Sequence, residues 1–351
     1  MLSPYENLAP QAFWRTGVVD QAPDSIAEIY CKKFPIDRST RIATAGSCFA
    51  QHIARHMRAR GFSVMDVEPR PPGLRPKVAA QFGYKIYSAR YGNIYTARQL
   101  KQLAQEAFGA FTPSNAIWEK DGRYYDALRP SVEPTGLSSP EVVADHRTYH
   151  LAQVRRLFCE ADLLIFTLGL TETWAHRSSG TVYPTAPGTV AGTYDPSEYE
   201  FHNLTFQEIY GDLCEFFDLL KSHNPNLRLL LTVSPVPLTA TASGEHVLRA
   251  TVYSKSVLRA VAGQLYQEND DIDYFPSYEI VTSPLAKGAF FEANLRSVRN
   301  EGVEAVMKTF FAAHEQDGGE ENSQPHVAKS VPLSRDDDVI CEDILLDAFA
   351  R

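Results

Sequence analysis

A short apolar run followed by helically spaced apolar positions is the clearest pattern near the start of the chain. Residues 42–45, Ile-Ala-Thr-Ala, are too few for a helix and favour a buried strand. Phe49, Ile53 and Met57 then recur at helical spacing with polar residues between them, and Gly61 is a typical end for the helix. The pattern predicts a strand, a sharp Gly-Ser-Cys turn and an amphipathic helix.

Apolar runs and helical periodicity alternate over most of the chain. Further runs are typical of strands in a largely parallel sheet, at 62–66, 161–168, 227–233 and 271–276. Helical patterns lie between and after them, over about residues 97–108, 139–160, 205–223, 246–267 and 301–313. We therefore predict an α/β fold, a three-layer α/β/α sandwich whose central, mostly parallel sheet has about five strands.

Long loops interrupt this alternation. The stretches 67–90 and 175–203 are rich in Pro, Gly and polar residues, and they predict loop insertions at the edges of the sheet. Within residues 118–125, an Asp-Gly pair between polar and aromatic flanks predicts a hairpin.

The ends of the chain differ from its centre in composition. Residues 1–40 contain four prolines with Phe13 and Trp14 between them, and they predict an N-terminal arm that packs its aromatic rings on the body. Residues 41–313 form the predicted α/β domain. Residues 314–351 predict a polar linker followed by a short C-terminal helix.

Composition and charge narrow the function classes. The 351 residues are 44% hydrophobic and 22% charged, and the net charge of −9 comes without a basic stripe, which argues against a nucleic-acid partner. The five cysteines are far apart and lack C-x-x-C spacing, so we expect no metal site, no cofactor and a reducing, cytoplasmic setting. Neither a signal peptide nor a membrane span is expected, because no long apolar run occurs.

The turn Gly46-Ser47-Cys48 places small reactive groups where α/β proteins bind ligands. The carboxyl ends of parallel strands meet at one edge of the sheet, and the first amides of the following helix point at whatever lies there. A thiol at such a position has its thiolate stabilised. The alternative interpretation is a packed core thiol, since free cysteines are among the most buried residues.

Short blocks of this sequence resemble those of the GSCFA family, in the same order. They read GSCFA at 46–50, GNIYT at 92–96, TLGLTE at 167–172, SPV at 234–236, SK at 254–255 and YFPSYE at 274–279. Over about residues 1–313 the chain is identified as a member of this family, which resembles a branch of the SGNH hydrolases and is related to esterases and acyl transferases. The resemblance implies an SGNH-like or flavodoxin-like sheet.

The resemblance implies a nucleophile and an oxyanion site. Cys48 matches the third residue of the SGNH Gly-Asp-Ser block and is the first candidate for the nucleophile, with Ser47 as the other. Gly92 matches the glycine whose amide helps to bind the oxyanion, and Asn93 is a second donor beside it. A cysteine needs less help from a base than a serine does, because a helix N-terminus lowers its pKa.

The third SGNH block, Gly-x-Asn-Asp, is altered. Gly169 is retained, but Thr171 and Glu172 stand in the places of Asn and Asp. Thr171 can donate one hydrogen bond but is not an amide, so the resemblance implies an oxyanion hole of different geometry. Glu172 is a candidate acid/base or the orienting partner of a histidine; the alternative is a helix cap.

The Asp-x-x-His block of SGNH enzymes is missing from its usual place. Asn294 stands at the Asp position and Ser297 at the His position. His246 and His202, in loops predicted at the carboxyl edge of the sheet, are the remaining candidates for the acid/base.

Two hypotheses follow from these observations. The first is an ester hydrolase or O-acyltransferase that forms a covalent acyl-enzyme on an acylated small molecule or glycan. The second is a catalytically impaired relative that binds a glycan or an acylated ligand in the inherited pocket. The acyl group, its acceptor and the oligomeric state are left open by the sequence.

Overall fold

A computed structural model of the chain describes residues 3–315 together with Leu346. Its strands are β1 (Ile42–Gly46), β2 (Ile117–Lys120), β3 (Arg123–Asp126), β4 (Leu163–Leu168), β5 (Glu172–His176), β6 (Val182–Tyr183), β7 (Tyr199–Asn203), β8 (Arg228–Val233) and β9 (Ile272–Tyr274). Its helices are α1 (Ala50–Ala59), α2 (Pro76–Gln81), α3 (Ala97–Ala107), α4 (Pro140–Glu160), α5 (Phe206–His223), α6 (Val247–Glu268), α7 (Ser277–Thr282) and α8 (Asn300–Glu315). The predicted C-terminal helix lies outside the described residues.

The central sheet is parallel, with strand order β1-β4-β8-β9. Ile42 lies opposite Leu163, Leu163 opposite Arg228, and Leu229 opposite Ile272. These strands are the apolar runs of the sequence, and the helices between them supply the crossover connections that parallel pairing requires. The predicted α/β fold class is confirmed.

Two short segments lie beside β1, and the first of them contains residues 62–66, which were predicted to form a strand. The Ile42 amide donates to the Ser63 carbonyl at 2.9 Å, and the Ile42 carbonyl accepts from the Met65 amide at 2.9 Å. The chain then turns away from β1. Ser88 lies beside the next part of β1, where its Oγ accepts from the Thr44 amide at 2.9 Å. Two separate segments thus supply the hydrogen-bond partners along this edge of β1. The region 62–66 therefore forms one isolated bridge to β1 rather than a full strand.

Helices cover both faces of the sheet, as a three-layer sandwich requires. Ala43 and Leu229 belong to the core packed against α3, α4, α5 and α6. Ile42 and Leu230 belong to the opposite core, packed against α1, α7 and α8. Adjacent residues of one strand therefore face different cores, which follows from the two-residue period of a strand.

The loop insertions contain small antiparallel sheets. The predicted hairpin is confirmed: β2 pairs with β3, and Trp118 lies opposite Tyr125. The stretch 175–203, predicted as a loop, contributes β6, β7 and the end of β5 to a sheet of order β6-β5-β7. Its strands are short, and aromatic pairs such as Trp174 opposite Phe201 stabilise them, so periodicity alone did not indicate them.

The N-terminal arm packs on the body through its second half. Tyr30, Phe34 and Ile36 are buried in the core beside α8, and the Tyr30 hydroxyl donates to Asp273 Oδ2 at 2.8 Å. The prediction that Phe13 and Trp14 provide this packing is wrong. Their side chains remain 41% and 66% exposed because residues 10–19 form short helical turns of their own.

A buried ionic cluster fixes α4 behind the long loop. Glu68 accepts from the Arg90 amide at 2.6 Å and lies 2.7 Å from His150 Nδ1. Asp126 accepts from Arg147 Nη1 at 2.9 Å. Burial opposes ionisation of Asp126, but Arg147 and its neighbour Arg129 lower the pKa of this carboxyl to about 2. Paired charges of this kind hold elements in register, because separating one partner leaves the other buried and unpaired.

Gly46 is the residue on which the close approach of β1 and β4 depends. Its φ is +138°, and a Cβ placed there would lie 2.5 Å from the Thr167 carbonyl oxygen. We expect Gly46→Ala to lower the free energy of unfolding by at least about 3 kcal/mol, since backbone atoms cannot move aside. Urea unfolding followed by circular dichroism measures this loss.

Gly61→Ala is the matched control for this prediction. Gly61 also has a positive φ, +79°, but nothing lies within 4 Å of the added Cβ. We expect a loss of only about 1 kcal/mol, from backbone strain alone. Equal losses in the two variants would contradict the account of the β1–β4 contact.

Candidate functional site

The Gly-Ser-Cys turn connects β1 to α1 at the carboxyl edge of the sheet. The Ser47 amide donates to the Thr167 carbonyl of β4 at 3.1 Å. The amides of Ala50 and Gln51 donate back to the carbonyls of Ser47 and Cys48, at 2.9 and 3.2 Å. The chain therefore reverses within three residues, and Cys48 lies in the turn two residues before α1, whose N-terminus has no side-chain cap.

The two candidate nucleophiles are both buried, but they differ in surroundings. Ser47 is 2% exposed, and its Oγ is buried without a hydrogen-bond partner among the described residues. Cys48 is 6% exposed. A serine needs a base within hydrogen-bond reach to act as a nucleophile, whereas a thiol can ionise without one.

Gly169 brings the end of β4 against this turn. A Cβ at Gly169 would lie 3.0 Å from the Ser47 Cβ and 3.0 Å from the Tyr95 carbonyl oxygen. The amides of Gly169 and Leu170 both donate to that same carbonyl, at 3.0 and 3.1 Å. Three segments that are distant in sequence thus meet at one point: the turn after β1, the block 92–96 and the turn after β4.

A polar network connects the block 92–96 to the turn. The Ile94 amide donates to the Gly46 carbonyl at 2.9 Å, so Gly92 and Asn93 lie beside the end of β1. The Asn93 Oδ1 accepts from the Tyr87 hydroxyl at 2.5 Å and from Gln51 Nε2 at 3.2 Å.

The Tyr87 hydroxyl also lies 3.0 Å from the Ser47 carbonyl oxygen, which makes Tyr87 the centre of this network. Sequence reasoning missed both Tyr87 and Gln51. Gln51 could have been found, because a polar residue one helical turn after Cys48 shares its face. Tyr87 lies in a long loop and carried no signal.

Helix α6 fixes the turn after β4 from the other side. Ser254 Oγ accepts from the Thr171 amide at 3.0 Å, and Lys255 Nζ donates to the Gly169 carbonyl at 2.6 Å. The Thr171 hydroxyl donates to Asn203 Oδ1 at 2.6 Å. Both hydrogen-bond donors of Thr171 are therefore used within the protein, and neither points to an oxyanion in this conformation.

Glu172 connects β5 to the loop that follows β8. Its Oε1 accepts from the Thr241 hydroxyl at 2.6 Å. Burial raises the pKa of the Glu172 carboxyl, although hydrogen bonds from Thr241 and from the Ala242 amide oppose the rise. The carboxylate thus holds a loop in place and is hydrogen-bonded to neither candidate histidine.

The candidate histidines have other partners. His246 is exposed and caps α6, where its Nδ1 accepts from the Leu248 amide at 3.1 Å. His202 Nε2 lies 2.8 Å from Glu208 Oε1. Neither ring is hydrogen-bonded to Cys48.

His52, which sequence reasoning passed over, lies four residues after Cys48 on α1. Its Nδ1 is buried and has no hydrogen-bond partner within the described part of the chain, and its ring centroid lies 5.6 Å from that of Phe49. Burial, assisted by Arg55 and His56, lowers the pKa of His52 to about 3, so the ring stays neutral. The four-residue spacing from the cysteine is the signal that could have indicated it.

Asn294 and Ser297 form a local turn at the place of the missing Asp-x-x-His block. Asn294 Nδ2 donates to Ser297 Oγ at 3.0 Å, and Asn294 Oδ1 accepts from the Arg296 and Ser297 amides at 3.0 and 2.9 Å. Asn294 is exposed. Its side chain therefore shapes its own loop and makes no hydrogen bond to the Gly-Ser-Cys turn.

A small cavity of about 20 Å³ opens beside the block 92–96. Its walls include Gln51, Tyr87, Gly92, Asn93 and Val132. That space holds about one water molecule. Over residues 3–315 and Leu346, no group of three or more His, Cys, Asp or Glu side chains is placed to hold a metal ion.

The sequence pattern of the GSCFA family matches residues 41–310. The chain belongs to the GSCFA family. All of the short blocks that suggested this family lie within the matched residues of this GSCFA protein.

Other comparisons add little to this assignment. No curated protein matches the chain. Among solved structures, a carbohydrate esterase family 2 enzyme with its carbohydrate-binding domain, from Corynascus thermopiles (Myceliophthora fergusii), is similar over 82% of this chain and 70% of its own. The identity is 11% and the TM-score 0.27, a likeness too distant to establish a shared fold or activity.

The Tyr87 hydroxyl offers a direct test of the network. In Tyr87→Phe, the single hydroxyl hydrogen shared by the Ser47 carbonyl and Asn93 Oδ1 is lost while the ring packing is kept. We expect a loss of about 1–2 kcal/mol in the free energy of unfolding. Tyr149→Phe is the control, because that side chain is 56% exposed, and we expect no measurable change. Equal unfolding midpoints in urea for the two variants would contradict the assigned network.

Proposed function

We propose that this GSCFA protein is an SGNH-like ester hydrolase or O-acyltransferase in which Cys48 carries the acyl group. The observation that carries the proposal is the position of Cys48 at the junction of β1 and α1, where the segments containing Gly92 and Gly169 converge. Ligands of open α/β sheets bind at this edge, and a cysteine there has its thiolate stabilised by the helix. The proposed substrate is an acylated small molecule or glycan.

The proposed reaction has two steps. The Cys48 thiolate attacks the ester carbonyl carbon, the C–O bond to the leaving alcohol breaks, and that alkoxide takes up a proton. Water or an acceptor hydroxyl then attacks the thioester carbonyl carbon and loses its proton. The C–S bond breaks, the Cys48 thiolate leaves, and the acyl group passes to the attacking oxygen. Hydrolysis and acyl transfer differ only in this second nucleophile.

The oxyanion of each tetrahedral intermediate needs preorganised donors. We propose the amides of Cys48 and Gly92 for this role, with the Asn93 side chain beside them. Asn93 is buried, and Tyr87 and Gln51 orient it through its Oδ1, which is the kind of rigid support such a site requires. We assign Thr171 and Gly169 to positioning, because α6 and β7 already bind their polar groups.

A proton donor for the leaving group is still required. Of the two histidines, we propose His246, because Thr241, on the same loop, is bonded to Glu172 at the start of β5. To act, the His246 ring must give up its bond to the Leu248 amide, whose worth is typically about 1 kcal/mol. His202 is the second candidate, but Glu208 already binds its Nε2.

The proposal also covers the cellular compartment of the protein and the division of the chain into regions. We propose a cytoplasmic setting, consistent with the fact that none of the described cysteines, Cys31, Cys48, Cys159 and Cys214, forms a disulfide. Among the described helices, none combines the length and apolar character that crossing a membrane would need. We also propose that the chain divides into an N-terminal arm (residues 1–40), an α/β domain (41–313) and a C-terminal region (314–351).

One observation favours a second candidate function, a non-catalytic binding protein. The loop that replaces the Asp-x-x-His block is closed on itself through Asn294 and Ser297. A relative that has lost this pair could keep the carboxyl edge of the sheet as the binding place for a glycan or an acylated ligand. Cys48 would then be a packed thiol.

Ester hydrolysis by variants at the turn tests the proposed function. With p-nitrophenyl acetate as the probe, we expect Cys48→Ala to lower kcat/KM by at least about a thousandfold, because the nucleophile is lost. For Cys48→Ser we expect kcat/KM to fall by at least about a hundredfold, since a serine hydroxyl depends on a base far more than a thiol does.

Cys159→Ala is the matched control, because Cys159 is an exposed thiol on α4. We expect its kcat/KM to stay within about twofold of the wild type. Wild-type hydrolysis that is unchanged in Cys48→Ala would contradict the nucleophile assignment. No hydrolysis of any acyl ester or thioester, together with saturable binding of an acylated glycan, would favour the binding protein.

A further inference from the structure

Three aromatic rings lie together on the small sheet formed by β5, β6 and β7. Trp174 of β5 lies opposite Phe201 of β7, and their ring centroids are 5.8 Å apart. The Tyr194 ring meets the Trp174 ring edge-on at 5.3 Å and is 43% exposed, while Trp174 and Phe201 are partly buried. We call Trp174, Tyr194 and Phe201 the aromatic platform. Large rings that stay partly in solvent at one place are typical of a binding surface.

The aromatic platform is continuous with the candidate site. In the same strand register Glu172 lies opposite Asn203, and because alternate residues of a strand share a face, both side chains lie on the face that carries the platform. Two residues of a strand span about 7 Å, so the rings begin about that far beyond Glu172. Glu172 follows the turn after β4, in which Gly169 packs against Ser47. A ligand on the platform therefore lies beside the junction of the three segments.

Hydrogen-bond donors border the rings. Asn203 uses its Oδ1 to accept from Thr171, but within the described part of the chain its Nδ2 has no acceptor. Trp174 Nε1 and the Tyr194 hydroxyl likewise have no acceptor among the described residues, and none of these three atoms is buried. Indole, phenol and carboxamide groups are uncharged donors. A ligand for this surface needs apolar area that lies on the rings and uncharged acceptors at its edge.

The charges near the aromatic platform disfavour an anionic ligand. Between Glu172 and Asn203 the sequence has one Lys or Arg, which is Arg177. Arg177 pairs with Glu200 at 2.7 Å and donates to the Pro196 carbonyl at 2.9 Å. Phosphate-bearing ligands are typically bound by Arg or Lys, so a nucleotide or a phospholipid headgroup does not suit this face.

A pyranose ring meets each of these requirements. Its C–H groups are slightly positive and lie favourably on the negative face of an aromatic ring. Its hydroxyls are uncharged acceptors for the donors at the edge, and they are also donors for the Glu172 carboxylate. An acyl chain alone would cover the rings but would leave the donors without partners.

We propose that the aromatic platform is a glycan subsite, in which a neutral pyranose ring stacks on Trp174 and its hydroxyls bind the Tyr194 hydroxyl and Asn203 Nδ2. The inference rests on the proposed function and makes it more specific, because it identifies the ester substrate or the acyl acceptor as a glycan. The subsite holds one sugar of the chain while a neighbouring part of the same molecule reaches the Gly-Ser-Cys turn.

The test is calorimetric titration of the full chain with neutral oligosaccharides, namely cellohexaose, xylohexaose, mannohexaose, chitohexaose and maltohexaose. We expect saturable binding of at least one of them. Trp174→Ala removes the stacking surface, and we expect it to raise the Kd by at least about tenfold. Trp174→Phe keeps a ring but loses the indole donor, and we expect a rise of roughly threefold.

Trp14→Ala is the matched control, because Trp14 is a 66% exposed tryptophan outside the aromatic platform. We expect its Kd to stay within about twofold of the wild type. Circular dichroism establishes that each variant is folded, and Trp174→Phe and Tyr194→Ala serve if Trp174→Ala does not fold. No saturable binding of any of these oligosaccharides, or equal losses in Trp14→Ala and Trp174→Ala, would overturn the proposal.

Two further outcomes have separate meanings. Self-association in sedimentation that Trp174→Ala abolishes, without oligosaccharide binding, would overturn the subsite in favour of a contact between two copies of the chain. Oligosaccharide binding that depends on Trp174, without hydrolysis of any ester, would contradict the proposed function and support the subsite. Hydrolysis of p-nitrophenyl acetate that depends on Cys48, with no oligosaccharide bound, would overturn the subsite and support the proposed chemistry.

Discussion

The close contact between the ends of β1 and β4 is the constraint on which the rest of the site depends. Gly46 and Gly169 remove the side chains that would keep the two strand ends apart, and the Ser47 amide then reaches the Thr167 carbonyl. The Tyr95 carbonyl closes the same junction by accepting two amides from the turn after β4. Because three chain segments use one small space, the position of Cys48 is fixed by backbone hydrogen bonds rather than by side-chain packing alone.

Around this contact, several polar groups of the junction are held by other elements of the fold. Tyr87 and Gln51 orient Asn93, while Ser254 and Lys255 hold the turn after β4. Buried polar networks of this type are costly when incomplete and rigid when satisfied. The Gly-Ser-Cys turn therefore lies in a preorganised environment. Stabilisation of a transition state requires such an environment, whereas a cysteine that only packs in the core does not.

The sequence predicted the sheet better than the site, and the reason is the range of the interactions. The apolar runs that became β4 and β8 signal burial locally, and the Asp-Gly hairpin follows from turn chemistry. Tyr87 acts through contacts with residues far away in the chain, so no local pattern marks it. Lys255 belongs to the block SK at 254–255, but that block does not reveal its contact with Gly169. The histidines are the opposite case. The positions of His246 and His202 in the sequence suggested an acid/base role, but in the fold each ring has another hydrogen-bond partner.

The central claim is that Cys48 accepts an acyl group, and the most direct measurement is peptide mapping of the protein after brief exposure to an activated acyl ester and acid quenching. The account predicts one acyl group per chain, attached to the peptide that contains Cys48 and released by hydroxylamine as a thioester is. Acylation on exposed thiols such as Cys31 and Cys159 alone, or the same extent of modification in Cys48→Ala, would contradict it.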